Sequence, residues 1–264
     1  MPKLLPLKIK EKMIKEISSG TSINNISKKL NLGKSTIYYY YKKLKGKKYQ
    51  ESKFKSDLSR DEGEILGIII GDGTIFHEKK GGHYNIYVRF GIKNKEYSIY
   101  VKNKFEKFFN KKIYLYSDCK DKLRLLIVSK KIYFYFKSFV DYEESKKYST
   151  IKIKNIENLP KKFKLGLLKG LIDTDGTIYQ TKDNRIRINF YTTSEKLKDQ
   201  FITILKEFNF KYGFCIDKRK IKDVNRRTHN NNKCYSIYLW KDSITPFIKL
   251  IKPFKSNRII GPVG

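Results

Sequence analysis

Two short stretches carry the residues whose type and spacing suit chemistry. Asp72-Gly73-Thr74-Ile75 recurs as Asp175-Gly176-Thr177-Ile178, an offset of 103 residues, and each aspartate ends an apolar run. One Asp-Gly after an apolar run is an ordinary turn following a core helix. Two copies with matched surroundings are a repeat. Upstream, Ile65-Leu66-Gly67-Ile68-Ile69-Ile70-Gly71 aligns with Leu168-Lys169-Gly170-Leu171-Ile172-Asp173-Thr174, and small residues keep the same offset: Gly63 with Gly166, Gly67 with Gly170, Gly71 with Thr174. Small side chains every four residues form one stripe on a helix, so two such helices can pack closer than the usual 8–10 Å or about that. Packed stripe to stripe about a pseudo-twofold axis, they bring Asp72 and Asp175 together at their carboxyl-terminal ends. Carboxylates that close, at negative helix ends, repel unless a cation intervenes. Oxygen ligands suit Mg²⁺ or Mn²⁺, and a metal so held can activate water or stabilise the leaving oxygen of a phosphodiester.

Few other side chains compete for a chemical role. Cys119, Cys215 and Cys234 form no C-x-x-C pair, and His77, His83 and His229 are not grouped as zinc ligands, which excludes disulfide scaffolds and zinc sites. Of 264 residues, 59 are Lys or Arg and 26 Asp or Glu, a formal charge of +33 on a chain 39% hydrophobic and 14% aromatic. That composition belongs to a folded protein, not a disordered tail. So large a charge calls for an anionic partner, with nucleic acid the first candidate and a membrane surface the second. No apolar run approaches the roughly 20 residues needed to cross a bilayer, and the amino terminus lacks a secretion signal. A soluble, cytoplasmic protein with no membrane role is expected.

The elements that must position the aspartates also repeat. Ser59 or Asp61, each followed three residues later by a glutamate, and Pro160 signal the starts of the two striped helices. After each motif a strand alternates: Ile86, Val88, Phe90 and Ile92 against Asn85, Tyr87, Arg89 and Gly91, then Ile186, Ile188 and Phe190 against Arg185, Arg187 and Asn189. Helices follow, from Asn94 through Phe108 and from Ser194 through Phe208, with Asn94 and Ser194 as caps. Two more strands (about 112–117 with 123–128, and 212–220 with 234–240) and a last helix (about 130–140, and 243–252) complete each half. The expected fold class is α+β, a pseudo-twofold tandem repeat of αββαββα, with halves at 61–158 and 159–264. Helices on one face of each antiparallel sheet leave the other free. Two such basic faces make a saddle able to lie along a duplex, with Tyr87, Arg89, Arg185, Arg187 and Asn189 as its contacts.

Residues 1–50 read as a separate unit of three short helices, around Lys8 to Ser18, Ser22 to Leu30 and Lys34 to Leu44, with 51–60 as a linker. Gly20-Thr21-Ser22 and Asn31-Leu32-Gly33 supply the breaks of a helix-turn-helix. Its third helix would put Lys34, Ser35, Thr36 and Tyr38 at base edges and Lys42 near phosphate. A plain three-helix packing unit with a solvated basic face is the competing reading.

The doubled motif resembles the signature of the two-motif, single-chain LAGLIDADG homing endonucleases. The first copy, Ile65 to Gly73, is like the variant ending Gly-Asp-Gly; the second, Leu168 to Gly176, is nearer the consensus. The similarity extends over about residues 60 to 255, including Ser129 to Phe136, which is like the archaeal members. It implies a monomeric, divalent-metal endonuclease that cuts double-stranded DNA at a long asymmetric site, an activity tied to intron or intein homing. On that resemblance Asp72 and Asp175 are the metal carboxylates, and the carbonyls of Gly71 and Thr174 are further ligands. Lys93 stands where the family places a basic residue near the attacking water. Its counterpart is Thr193, which leaves the second half's basic role to Lys182 or Lys241. A DNA-binding regulator that does not cut, or an RNA-splicing maturase, would use the same scaffold. A membrane-surface protein is the remotest alternative, since no basic amphipathic helix with a Trp-rich face is present.

Overall fold

Ser22, Ser59 and Ser194 cap their helices, and the small-residue stripes meet, where local rules place them. The computed structural model describes residues 5–46, 54–79, 81–119, 121–217 and 233–260, and the chain divides into two compact units, Met1–Glu51 and Ser52–Gly264. In the first unit lie α1 (Leu7–Ser18), α2 (Ile23–Leu30) and α3 (Lys34–Lys45). Ser22 caps α2 by accepting the Asn25 N–H at 3.2 Å, and Asn31, at φ 48°, ends it in the left-handed region that Asn tolerates. Met13, Ile17, Ile26 and Ile37 form this unit's own core.

The second unit runs α4 (Arg60–Gly71), β1 (Gly73–Glu78), β2 (His83–Gly91), α5 (Lys95–Phe109), β3 (Tyr114–Cys119), β4 (Lys122–Val128) and α6 (Lys130–Phe139). A connection follows with β5 (Val140–Asp141), α7 (Lys147–Thr150) and β6 (Lys152–Ile153). The pattern then repeats as α8 (Lys161–Asp175), β7 (Gly176–Gln180), β8 (Ile186–Thr192), α9 (Glu195–Glu207), β9 (Tyr212–Asp217), β10 (Cys234–Leu239) and α10 (Lys241–Ile251). Both halves are αββαββα, and their antiparallel sheets have equivalent orders, β1-β2-β4-β3 and β7-β8-β10-β9. Ile86, Val88 and Phe90 face the core and pair across the sheet with Ile127, Leu125 and Leu123.

Three local expectations are corrected. Ile92 lies beyond β2 in a 3-10 turn and is 49% exposed, so the alternation stops at Gly91. Asn94 makes no side-chain capping bond, whereas Ser194 accepts the Leu197 N–H at 3.2 Å. Arg185 precedes β8, in the turn where its backbone N–H donates to Thr181 Oγ1 at 3.1 Å. Residues 218–220, expected as strand, 47–50 at the end of the expected first unit and 51–53 of the expected linker lie outside the described residues.

Helices α4 and α8 pack along their glycine stripes. A Cβ added at Gly67 would lie 2.6 Å from the Leu167 carbonyl oxygen and 2.9 Å from the Gly170 Cα, so the backbones themselves are in contact. Glu62 fixes the start of α4: buried, it accepts from the Ser56 hydroxyl (2.6 Å), the N–H groups of Asp57 (2.9 Å) and Leu58 (2.7 Å), and the Tyr135 hydroxyl (2.6 Å). Between the helices, buried Lys169 donates to Glu64 and to Asp173, both at 2.8 Å, and Lys104 reaches Glu64 at 3.0 Å. Every charge in this buried group has a partner, as burial demands.

Candidate active site

Asp72 is the residue on which α4 ends, and Asp175 is the last residue of α8. The close approach of the helices decides what the carboxylates meet. A Cβ on Gly71 would sit 3.0 Å from Asp175 Oδ2, so the second half's carboxylate lies over the end of the first half's helix. Both aspartates line a cavity of about 550 Å³, together with Gly71, Lys147 and Thr193. Burial and the neighbouring charge of Asp72 push the Asp175 carboxyl up to about 6, against the pull of Lys147 and Lys255. Asp72 is open to solvent on one side, yet desolvation by the crowded helix ends raises its pKa too, again opposed by Lys255 and Lys147.

Two lysines other than those the sequence suggested act electrostatically on both aspartates. Lys147, on α7, donates to the carbonyl of Ile69 at 2.9 Å and to that of Gly73. Lys255, in the 3-10 turn Phe254–Ser256, donates to Ile172 at 3.3 Å, Thr174 at 2.9 Å and Gly176 at 2.5 Å. Ile69 and Gly73 are the repeat equivalents of Ile172 and Gly176, so each half ties a lysine to the carbonyl end of its helix, where a cation is favoured. Burial lowers Lys147 to about 8, although Asp175 and Asp72 both favour its charge.

Lys93 is exposed in its 3-10 turn and lines neither cavity beside the aspartates, because that turn carries it past the end of β2. Lys182 and Lys241 are also exposed and line neither cavity. Thr193 does line the larger one, with its hydroxyl donating to the Tyr148 carbonyl at 2.6 Å. Lys147 and Lys255 escaped the self-comparison of the sequence because they are 108 residues apart while the motifs are 103 apart. A comparison allowing a short gap could have found them.

A smaller cavity of about 280 Å³ lies on the other side of Asp72, lined by Arg89, Asn94, Tyr97, Asp173 and Lys255 among others. The two cavities differ at equivalent positions: Asp173 and Tyr97 in the smaller, Ile70 and Leu197 in the larger. The Tyr97 hydroxyl is buried with no hydrogen-bond partner among the described residues.

The donor set fits a hard divalent cation. Two oxygen ligands repel each other at negative helix ends, and among the described residues they join no group of three or more His, Cys, Asp or Glu side chains. A cation would therefore keep sites for water and phosphate oxygen, as Mg²⁺ prefers. The Thr174 carbonyl is engaged by Lys255, and an ammonium on that oxygen repels a dication, so it is a poorer ligand than the resemblance implied.

The remaining candidates lie on open surfaces. On the first sheet's open face, Tyr87 is half-buried and Arg89 exposed; in the second half, Arg187 and Asn189 are half-buried and Arg185 is exposed at the hairpin turn. On α3, Lys34, Ser35, Tyr38 and Lys42 are exposed and Thr36 is half-buried. Among the described residues no helix is long and apolar enough to cross a membrane.

Residues 162–247 match the LAGLIDADG-like domain family. Among solved structures, a mesophilic variant of the homing endonuclease I-DmoI is similar at a TM-score of 0.53 and 19% identity, over 74% of this chain and 97% of that one. I-DmoI in complex with DNA and Mn gives the same values. Its complex with DNA and Ca gives 0.51 and 19%, over 74% and 88%. No curated protein sequence matches. The second half thus resembles a LAGLIDADG-like domain, and the chain shares the fold of I-DmoI.

Proposed function

We propose that this chain is a site-specific endonuclease of double-stranded DNA, acting as a monomer with Mg²⁺ or Mn²⁺ held by Asp72 and Asp175. The observation that carries the reading is the meeting of those two carboxylates, one from each half, at the ends of glycine-packed helices. A +33 chain with two open sheet faces suits a duplex partner. The complexes of I-DmoI with DNA and Mn or Ca support the same pairing of partner and metal in this fold.

Asp72 and Asp175 would hold the cation, with the Gly71 carbonyl as a further oxygen. A metal bound there supplies Lewis-acid stabilisation of the leaving oxygen and lowers the pKa of a bound water. The protein's own contribution is positional. Lys147 and Lys255, tied to backbone carbonyls, keep fixed positive charge beside the reacting phosphates and need no reorganisation as negative charge develops. Burial lowers Lys147 to about 8, so it keeps most of its charge at neutral pH. Tyr87, Arg89, Arg187 and Asn189 would contact DNA from the sheets, with Arg185 at the hairpin. The first unit would add contacts through Lys34, Ser35, Thr36 and Tyr38 to bases and Lys42 to phosphate. Cutting of this kind would start gene conversion at an intron target.

The test is selection on a randomised duplex library, recovering bound and cut molecules separately, with Mg²⁺ and with a chelator. Metal-dependent cut ends sharing one long sequence are expected. The three-helix unit favours one rival, a DNA-binding regulator, and specific binding without cut ends at any Mg²⁺ concentration would support it instead.

A further inference from the structure

A carboxylate on a surface that faces a polyanion is unfavourable unless it organises something. Asp118 is such a group. It sits at an irregularity in β3: Ser117 pairs with Leu123 and Cys119 with Lys122, so Asp118 is the extra residue of a bulge. Bulges re-aim side chains, often beside functional sites. Asp118 accepts from Arg89 Nε at 3.0 Å and from an Arg124 terminal nitrogen at 2.6 Å. Arg89 and Arg124 stand directly opposite each other on β2 and β4. Like charges so placed repel, and the carboxylate bridges them. Both guanidinium groups also lie over the Tyr87 ring, 5.0 and 5.1 Å from its centroid. Partial desolvation would raise the Asp118 pKa, but the bonds from Arg124 and Arg89 hold it below the usual carboxylate range.

The arrangement leaves one edge to spare. Arg89 is bound through Nε, and its two terminal nitrogens have no partner among the described residues. Guanine O6 and N7 accept a guanidinium fork of that kind in the major groove. The side chain is ordered before binding, so less rotamer entropy is lost on contact. The carboxylate also repels phosphate, which turns the fork toward a base edge. Arg89 lines the smaller cavity beside Asp72, which sets the contact next to the cutting centre.

We propose that Arg89, held by Asp118 and Arg124 over Tyr87, reads one guanine beside the cuts in the half-site facing the first sheet, with Asp118 as its positioning residue. The inference rests on the duplex-DNA reading above. Its test is base preference at every position of the selected site, measured by competition at fixed salt for the unaltered protein, Asp118→Asn, Asp118→Glu and Arg89→Lys. The unaltered protein should prefer guanine at one position near the cut by about tenfold or more. Asp118→Asn should reduce that preference to about threefold or less at that position alone, because the fork is no longer held. Asp118→Glu should restore part of it, and Arg89→Lys should abolish it. A purely structural role for Asp118 would weaken all sequences alike, and that result overturns the proposal. If Asp118→Asn does not fold, Arg89→Lys alters an exposed side chain and tests the same position; an unchanged preference there overturns the proposal too. A defined site without that guanine sinks this inference alone, whereas no duplex selection at all sinks the function with it.

Discussion

Asp72 and Asp175 are few atoms on which much depends. Replacing either by Asn keeps its shape and removes a charge, so each variant should lose Mg²⁺-dependent cutting while retaining specific binding; a nicking and cleavage assay beside a gel shift measures both. The raised pKa of Asp175 also sets a pH window. A folded pKa of about 6 against an ordinary 3.8 means that the folded, metal-free protein takes up a proton that the unfolded chain does not. That contribution is present at low pH and is lost as pH rises through about 6. Thermal melts in chelator should show it, with stability from this group declining over the window and Asp175→Asn flattening the decline. Mg²⁺ competes with the same proton, so its affinity, followed by calorimetry, should climb over that range and level off above it. At the residue scale the motif aspartates were legible because they recur at one offset. Lys147 and Lys255 were not, because α7 and the 3-10 turn at Phe254 reach the helix ends from different distances along the chain.

The striped helices α4 and α8 are the elements that make the site. Their glycines were readable as a stripe, since spacing by four lines up one helix face. A Cβ at Gly67 meets a carbonyl and a Cα that cannot rotate away, so Gly67→Ala should cost at least about 1–3 kcal/mol in a urea melt. Cutting should fall with it, as the two helix ends part. The charges between the helices were less readable. Glu64, Lys169 and Asp173 occupy positions where the surrounding pattern calls for apolar residues, and only the partnership of all three explains them. Lys169→Met leaves two buried carboxylates without that partner and should destabilise the fold by about 3–5 kcal/mol, read in the same melt. Asn94 and Ile92 show the limit of local rules. A cap or a strand end depends on where the chain must turn next, and the 3-10 segment Ile92–Asn94 overrides both expectations.

At the scale of the molecule, the two units have separate cores. Removing the first unit should leave metal-dependent cutting at the central sequence and weaken binding, measured as a rise in Kd with unchanged cut positions. Binding by the whole chain should weaken steeply with salt, with a log–log slope beyond about −5 if six or more phosphates are neutralised. A flat profile would contradict the electrostatic reading. The sequence by itself determined the repeat, the order of elements in each half, the stripes that must face each other and the carboxylates that must meet. All of these follow from local periodicity and side-chain type. Only the tertiary structure decided which lysines flank those carboxylates, that Asp118 bridges Arg89 and Arg124, and that the cavities on either side of Asp72 differ in polarity. Each of these joins residues on different elements, and their distance in space is set by packing, which no local spacing encodes.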